Sequence, residues 1–192
     1  AVLAKASQDV ALRAVSSCLT AIGGGAYAPR LERLERLLVA ILDGRLGGGR
    51  TLAGCRIQRQ PRGGMLLICR EVAAAREILS VEQPTPEGTP KSVFWDGRFR
   101  VRLPSLSGDD SPLVVRRLGT GGRIAARDAG ALAPGLPSTV AAALPGLWRN
   151  GTLVAAPGFV SSARPAEWCR IPSCDVTFMP ARSVAMPGFA VA

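Results

Sequence analysis

Leu12, Val15, Leu19 and Ile22 recur at spacings of three and four, and so do Leu31, Leu34, Leu38 and Ile41. Each set makes one apolar stripe at the 3.6-residue period, which predicts two amphipathic helices within residues 1–45. Ser7 suits the N-cap of the first, Gly23–Gly25 end it, and Gly23 can take the left-handed C′ conformation. Pro29 suits the first turn of the second and Gly44 stops it. A short turn between them predicts an antiparallel helical hairpin.

The period changes after the glycine-rich junction RLGGGR. That junction is the expected boundary between a helical module, residues 1–46, and a β-rich module, residues 47–192. RTLAGCRIQRQPRGGMLLICREV reads as a hairpin with an imperfectly alternating strand over Leu52–Gln58, a PRGG turn and the compact apolar run MLLIC. Residues 80–91, SVEQPTPEGTPK, read as a proline-rich connector. VFWDGRFRVRLP is the clearest hairpin. Asp96-Gly97 forms the favoured two-residue turn, and Phe99, Val101 and Leu103 alternate with Arg98, Arg100 and Arg102. LVVRRLG reads as another strand. LPSTVAAALPGLWRNGTLVAAPGF reads as a short helix, a Leu-Pro stop, a tryptophan, an Asn-Gly turn and an apolar strand. Residues 160–192 show no clear periodicity and read as an extended, partly irregular tail. The expected class is α+β: an N-terminal helical hairpin, then a β-rich module with one short helix.

Charge adds a partner class to this picture. Of 24 basic residues only Lys5 and Lys91 are lysine, and the net charge is +10. The planar guanidinium grips phosphate in a bidentate fork and stacks on bases, so this excess suits a polyanion. The same composition also suits a solvated surface encoded by GC-rich DNA. On the second helix Arg30, Arg33 and Arg36 share one exposed flank, either a solvated face or an edge toward phosphates. Glu32 can pair with Arg36 across one helical turn.

Candidate chemistry is sparse. The chain has no histidine and five cysteines, with no C-x-x-C pair. This removes the commonest general base and leaves no standard Ser-His-Asp triad or closed zinc site. GTGGR at Gly119–Arg123 lacks the lysine and hydroxyl of a Walker loop, so it reads as a turn between strand and helix. Asp109 and Asp110 are adjacent, and in a strand they would face opposite ways. The apolar runs are shorter than the ~20 residues a membrane span needs, and no signal peptide is visible at the start. A cytoplasmic protein without membrane association, with reduced thiols, is expected.

The order of motifs in residues 136–159, with LVVRRLGTGGRI before it, resembles the C-terminal region of tRNA(Ile)-lysidine synthases. AYAPRLERLERLLVAIL resembles the helical module that follows the catalytic domain of that family, and RTLAGCRIQRQPRGGMLLICRE the hairpin between these parts in α-proteobacterial members. The similarity covers most of residues 8–160. It implies an ATP-dependent ligase that adenylates the wobble cytidine of an isoleucine tRNA, then displaces AMP with lysine. It also implies that ATP and magnesium belong to an N-terminal catalytic domain carrying an S-G-G-x-D-S loop, which does not occur here. This chain would then be the tRNA-binding C-terminal part, non-catalytic by itself and without a metal or cofactor of its own.

Two departures from the family pattern matter. A run usually rich in lysine is ARDAGALAPG here, with Arg127 its sole base, and a family arginine falls at Ala141. The expected RNA contacts are therefore Arg30, Arg33, Arg36, Arg98, Arg100, Arg102, Arg116, Arg117 and Arg123. Trp148 is a candidate for stacking on a base or for the core. The alternative to RNA binding is a basic protein-interaction module whose arginines meet acidic protein surfaces.

Overall fold

The computed structural model describes residues 3–61, 64–82, 91–104, 111–157 and 173–184. The Asp109-Asp110 pair and most of the expected tail lie outside them. The class is α+β, and the chain divides into two compact units, Ala1–Ala74 with Pro180–Ala192, and Ala75–Met179.

In the first unit a 3-10 turn (Leu3–Lys5) precedes α1 (Gln8–Gly23) and α2 (Leu31–Leu42). Ser7 stands at the N-cap of α1 in extended conformation, without a side-chain hydrogen bond. The left-handed residue that ends α1 is Gly24, one position later than expected (φ 67°). α1 buries Ala11, Val15 and Leu19, and α2 buries Leu34, Leu37, Leu38 and Ile41. Leu31, assigned to the stripe by its spacing, is exposed.

The helices share their core with a three-stranded antiparallel sheet, β1 (Arg50–Leu52), β2 (Cys55–Arg59) and β3 (Leu66–Arg70). Cys55 and Ile57 alternate inward along β2 at 0 % exposure, into the cluster of Val15, Leu19 and Leu38. This places the unit boundary between Ala74 and Ala75 rather than between residues 46 and 47. Neither the helices nor the sheet buries its apolar face without the other. The segment read as one strand over Leu52–Gln58 is broken by a tight turn at Ala53 and Gly54, with φ 52° and 69°.

Gly23 fixes how closely the helix end approaches that turn. A Cβ there would stand 2.4 Å from the Ala53 carbonyl oxygen, a backbone atom that cannot swing aside. Gly23→Ala is expected to destabilise this unit by roughly 1–3 kcal/mol through overpacking. Urea unfolding followed by far-UV circular dichroism checks this, and an unchanged midpoint would count against the tight approach.

The second unit holds two sheets around one core. A five-stranded sheet runs in the order β10 (Ser173–Cys174), β9 (Thr152–Pro157), β8 (Pro145–Arg149), β7 (Leu113–Arg117), β4 (Leu79–Val81). Its pairs are antiparallel except β10 with β9. A three-stranded antiparallel sheet runs β11 (Val176–Phe178), β6 (Phe99–Arg102), β5 (Ser92–Trp95). Between β7 and β8 lie α3 (Gly119–Asp128) and the one-turn α4 (Ser138–Ala142), so the described residues of the unit hold two helices where the sequence reading expects one. β10 and β11 also give part of the expected irregular tail a place in the sheets.

Both two-residue turns expected from sequence are present. Asp96-Gly97 has φ 53° and 63°, and Asn150-Gly151 has φ 49° and 79°, the left-handed pairs that match strand twist. Trp95, Val101, Val115 and Leu147 are fully buried in the core they enclose.

Candidate nucleic-acid interface

The β11–β6–β5 sheet carries a clearly two-faced cationic surface. Along β6, Phe99 and Val101 are buried, while Arg100 and Arg102 are exposed, as the period of two requires. Register puts Phe94 and Thr177 on either side of Arg100, and Ser92 beside Arg102. Phe94 is 49 % exposed, whereas its neighbour Trp95 is 0 % exposed and donates its indole N–H to the Glu77 carbonyl at 3.0 Å. Arg102 has Asp175 at 3.7 Å, both side chains well exposed. The Arg100 guanidinium has no ion pair or hydrogen bond among the described residues.

Arg98 does not join this face, a correction to the sequence reading. It is 4 % exposed. Its Nε and Nη2 donate to Asp96 Oδ2 at 2.9 and 2.5 Å, and Nη2 reaches the Ala143 carbonyl at 3.5 Å. The guanidinium also lies 4.8 Å from the centre of the Phe99 ring. Arg98 follows the turn directly and precedes the first β6 residue, so strand alternation does not govern it. Its backbone N–H closes the turn on Trp95 O at 3.1 Å.

Arg116 and Arg117 are consecutive on β7 and leave the strand on opposite faces. Arg116, half-buried, stacks over the Trp148 ring at 3.9 Å from its centre. Arg117 donates to the Ala75 carbonyl at 3.3 Å. Arg123 is half-buried on α3. Gly119–Arg123, expected as a turn, forms the first turns of α3, and Gly122 there packs on the Trp148 ring. Trp148 is 9 % exposed and belongs to the core. Arg127 donates to the Leu136 carbonyl at 3.0 Å, and Ala141 is fully buried.

In the first unit Arg30, Arg33 and Arg36 are exposed on or beside α2, and Arg36 pairs with Glu32. Arg30 and Arg33 rim an open cavity of about 280 Å³ floored by Pro29, Leu52 and Ala53. Other arginines there serve the fold. Arg59 donates to Ile41 O at 2.8 Å and Arg70 to Gly23 O at 2.5 Å, so each satisfies a carbonyl in the last turn of a helix.

The sequence reading passed over two residues. Phe94 looks like a core position in an apolar run, and only the hairpin register turns it outward. Arg149, before the Asn150-Gly151 turn, has its Nε and Nη2 buried without a hydrogen-bond partner among the described residues.

Two of the thiols are held away from nucleophilic chemistry by burial. Burial pushes the Cys174 thiol up to about 12, and the Asp175 carboxylate adds to that against a backbone hydrogen bond that lowers it. Burial also raises Cys18. Both remain thiols at neutral pH. Among the described residues no group of three or more His, Cys, Asp or Glu could hold a metal ion. Nor is any helix there long and apolar enough to cross a membrane. The glycine-rich start of α3 offers neither lysine nor magnesium-binding hydroxyl in the phosphate-loop spacing, so these residues do not form a loop of that type.

Fold and surface together define a basic α+β protein that presents cations from a sheet face. Over 149 residues, 78 % of the chain, it is 32 % identical to a tRNA(Ile)-lysidine synthase of Ruegeria pomeroyi, of which the match covers 31 %. Over 96 residues, 50 % of the chain, it is 28 % identical to a tRNA(Ile)-lysidine synthase of Anaplasma marginale, 19 % of which is covered. No family model and no solved structure matches. The chain belongs to the tRNA(Ile)-lysidine synthase family. It spans less than a third of the length of these curated relatives.

Proposed function

We propose that this chain is the C-terminal, tRNA-binding portion of a tRNA(Ile)-lysidine synthase, and that it positions the tRNA whose wobble cytidine the whole enzyme converts to lysidine with ATP and lysine. The observation that carries the reading is the outward face of β6. Arg100 and Arg102 stand there on a rigid sheet, and only Arg102 has an acidic neighbour among the described residues. Phosphate contacts of this kind fix register and orientation, and they need a firm scaffold more than reactive groups. Arg30 and Arg33 on the first unit, and Arg123 on the second, are further exposed or half-exposed cations for the same partner. In this reading catalysis, ATP and magnesium belong to a separate catalytic domain in a cytoplasmic enzyme.

The test is tRNA affinity across a salt series for the wild-type chain and for Arg100→Gln with Arg102→Gln. Both side chains are exposed, so the fold is expected to persist. The double variant should bind more weakly, and its salt dependence should flatten by up to about two phosphates' worth of slope, each ~0.7–0.9 in log–log terms. Equal binding of tRNA and an acidic polypeptide such as polyglutamate would instead favour a protein-interaction module. Absence of tRNA binding by the wild-type chain would reject the reading.

A further inference from the structure

We propose that the outward face of the β5–β6–β11 sheet is a stacking platform for an unpaired nucleotide, with Phe94 taking the base and Arg100 an adjoining phosphate. This deepens the RNA-binding reading and rests on it.

The argument begins with the register. Phe94 and Arg100 are direct cross-strand partners, and Thr177 is the partner of Arg100 on its other side. One row of the sheet thus reads aromatic ring, guanidinium, hydroxyl. Directly opposed side chains in an antiparallel pair start about 5 Å apart at Cβ, so ring and cation reach the same ligand. No acidic residue stands in this row. Asp175 pairs with Arg102, and Glu82 with Lys91 at 3.5 Å, so the described carboxylates nearby neutralise other cations.

The alternation of β5 makes the exposure of Phe94 a consequence of the fold. Trp95 must enter the core, so Phe94 must leave it. Leaving the core does not require an aromatic residue, and a polar side chain would satisfy the same pattern. Isolated exposed apolar residues are common and need no explanation. Here the ring lies across from a cation that has no described partner, on a basic protein. The combination of π-face and phosphate donor matches the chemistry of a nucleotide.

The geometry also selects which nucleotide. Bases inside an A-form duplex are already stacked on both sides and offer no face to a ring. An unpaired base does, and stacking tolerates every base because each has a π-face. Phe94 therefore distinguishes unpaired from paired RNA without reading sequence, whereas Arg100 serves both.

The test uses the full chain as wild type, Phe94→Ala, Phe94→Trp and Arg100→Gln, with three probes: a short single-stranded oligouridylate, an RNA duplex of the same length, and folded tRNA. Phe94→Ala should weaken oligouridylate binding about ten-fold and leave duplex binding unchanged, whereas Phe94→Trp should bind oligouridylate at least as well as wild type. Arg100→Gln should weaken both short probes and flatten their salt dependence. Unchanged oligouridylate affinity in Phe94→Ala, no oligouridylate binding by wild type, or equal loss on the duplex would each overturn the platform. If tRNA still binds in those cases, the tRNA-binding reading survives. If tRNA fails to bind while oligouridylate is held through Phe94, the platform stands and the tRNA reading falls.

Discussion

Replacing Arg98 with alanine is expected to destabilise the second unit by roughly 3–5 kcal/mol, the range for removing one partner of a buried ion pair. Arg98 and Asp96 side chains are each 5 % exposed, so the loss removes the guanidinium from a carboxylate that is shielded from water. The same change also removes the guanidinium from the Phe99 ring and from the Ala143 carbonyl, severing a link between the β5–β6 hairpin and the end of α4. Asp96 holds a left-handed turn position, and its backbone N–H is bonded to Glu77, so the turn resists rearrangement around the vacancy. For a unit of this size such a loss lowers the thermal midpoint by more than about 10 °C. Arg102→Ala is the control, because an exposed pair contributes about 0–1 kcal/mol. Thermal unfolding by near-UV circular dichroism, which reports the packing of Trp95, separates the two. If Arg98→Ala unfolds at the midpoint of Arg102→Ala, the buried pair is not what holds the hairpin. A glutamine variant meant to probe RNA binding should therefore change Arg100 and Arg102 and leave Arg98 in place.

This contrast shows where the sequence was legible. Asp96-Gly97 and Asn150-Gly151 announce their hairpins because few other pairs accept two left-handed residues. Ala53-Gly54 makes the same kind of turn, yet alanine carries no such signal, so Leu52–Gln58 reads as one strand. The RLGGGR junction looks like a boundary because helical spacing stops there. Only the inward placement of Cys55 and Ile57 reveals that the helices need the next sheet to close their core. α3 was hidden for a different reason. Three glycines in its first four residues argue against a helix, but Gly122 is required where the Trp148 ring packs. β4 and β11 are three residues each, too short to show a period, and they exist through their partners β7 and β6. The excess of arginine does not by itself say which cations face a partner, and of the expected contacts Arg98 is buried. Arg59, Arg70, Arg98 and Arg117 are engaged with backbone carbonyls or a buried carboxylate, which composition cannot distinguish from cations facing solvent.

The largest effect of removing a single side chain outside that ion pair is expected at Trp148. The indole fills the space between the five-stranded sheet and α3. A Cβ on Gly122 would stand 2.7 Å from its Cζ2, so that glycine is a space cleared for the ring, whereas one on Gly146 would meet Leu118 and Leu153 before the indole Nε1 at 3.3 Å. Leu118 and Leu153 lie in the same cluster. Trp148→Ala opens a cavity that the sheet backbone cannot collapse into, and it leaves Arg116 without the ring it stacks on. The expected loss is about 3–5 kcal/mol. Trp148→Phe should lose much less. The indole N–H has no hydrogen-bond partner among the described residues, so the smaller ring strands no acceptor there and chiefly forfeits volume. Urea unfolding of the two variants beside wild type measures the difference. An equal, large loss in both would mean that the indole N–H makes a bond that the geometry does not show. Little loss in Trp148→Ala would mean that α3 re-docks without the ring. The expected ordering, alanine far below phenylalanine, makes Trp148 a structural support for Arg116 and α3.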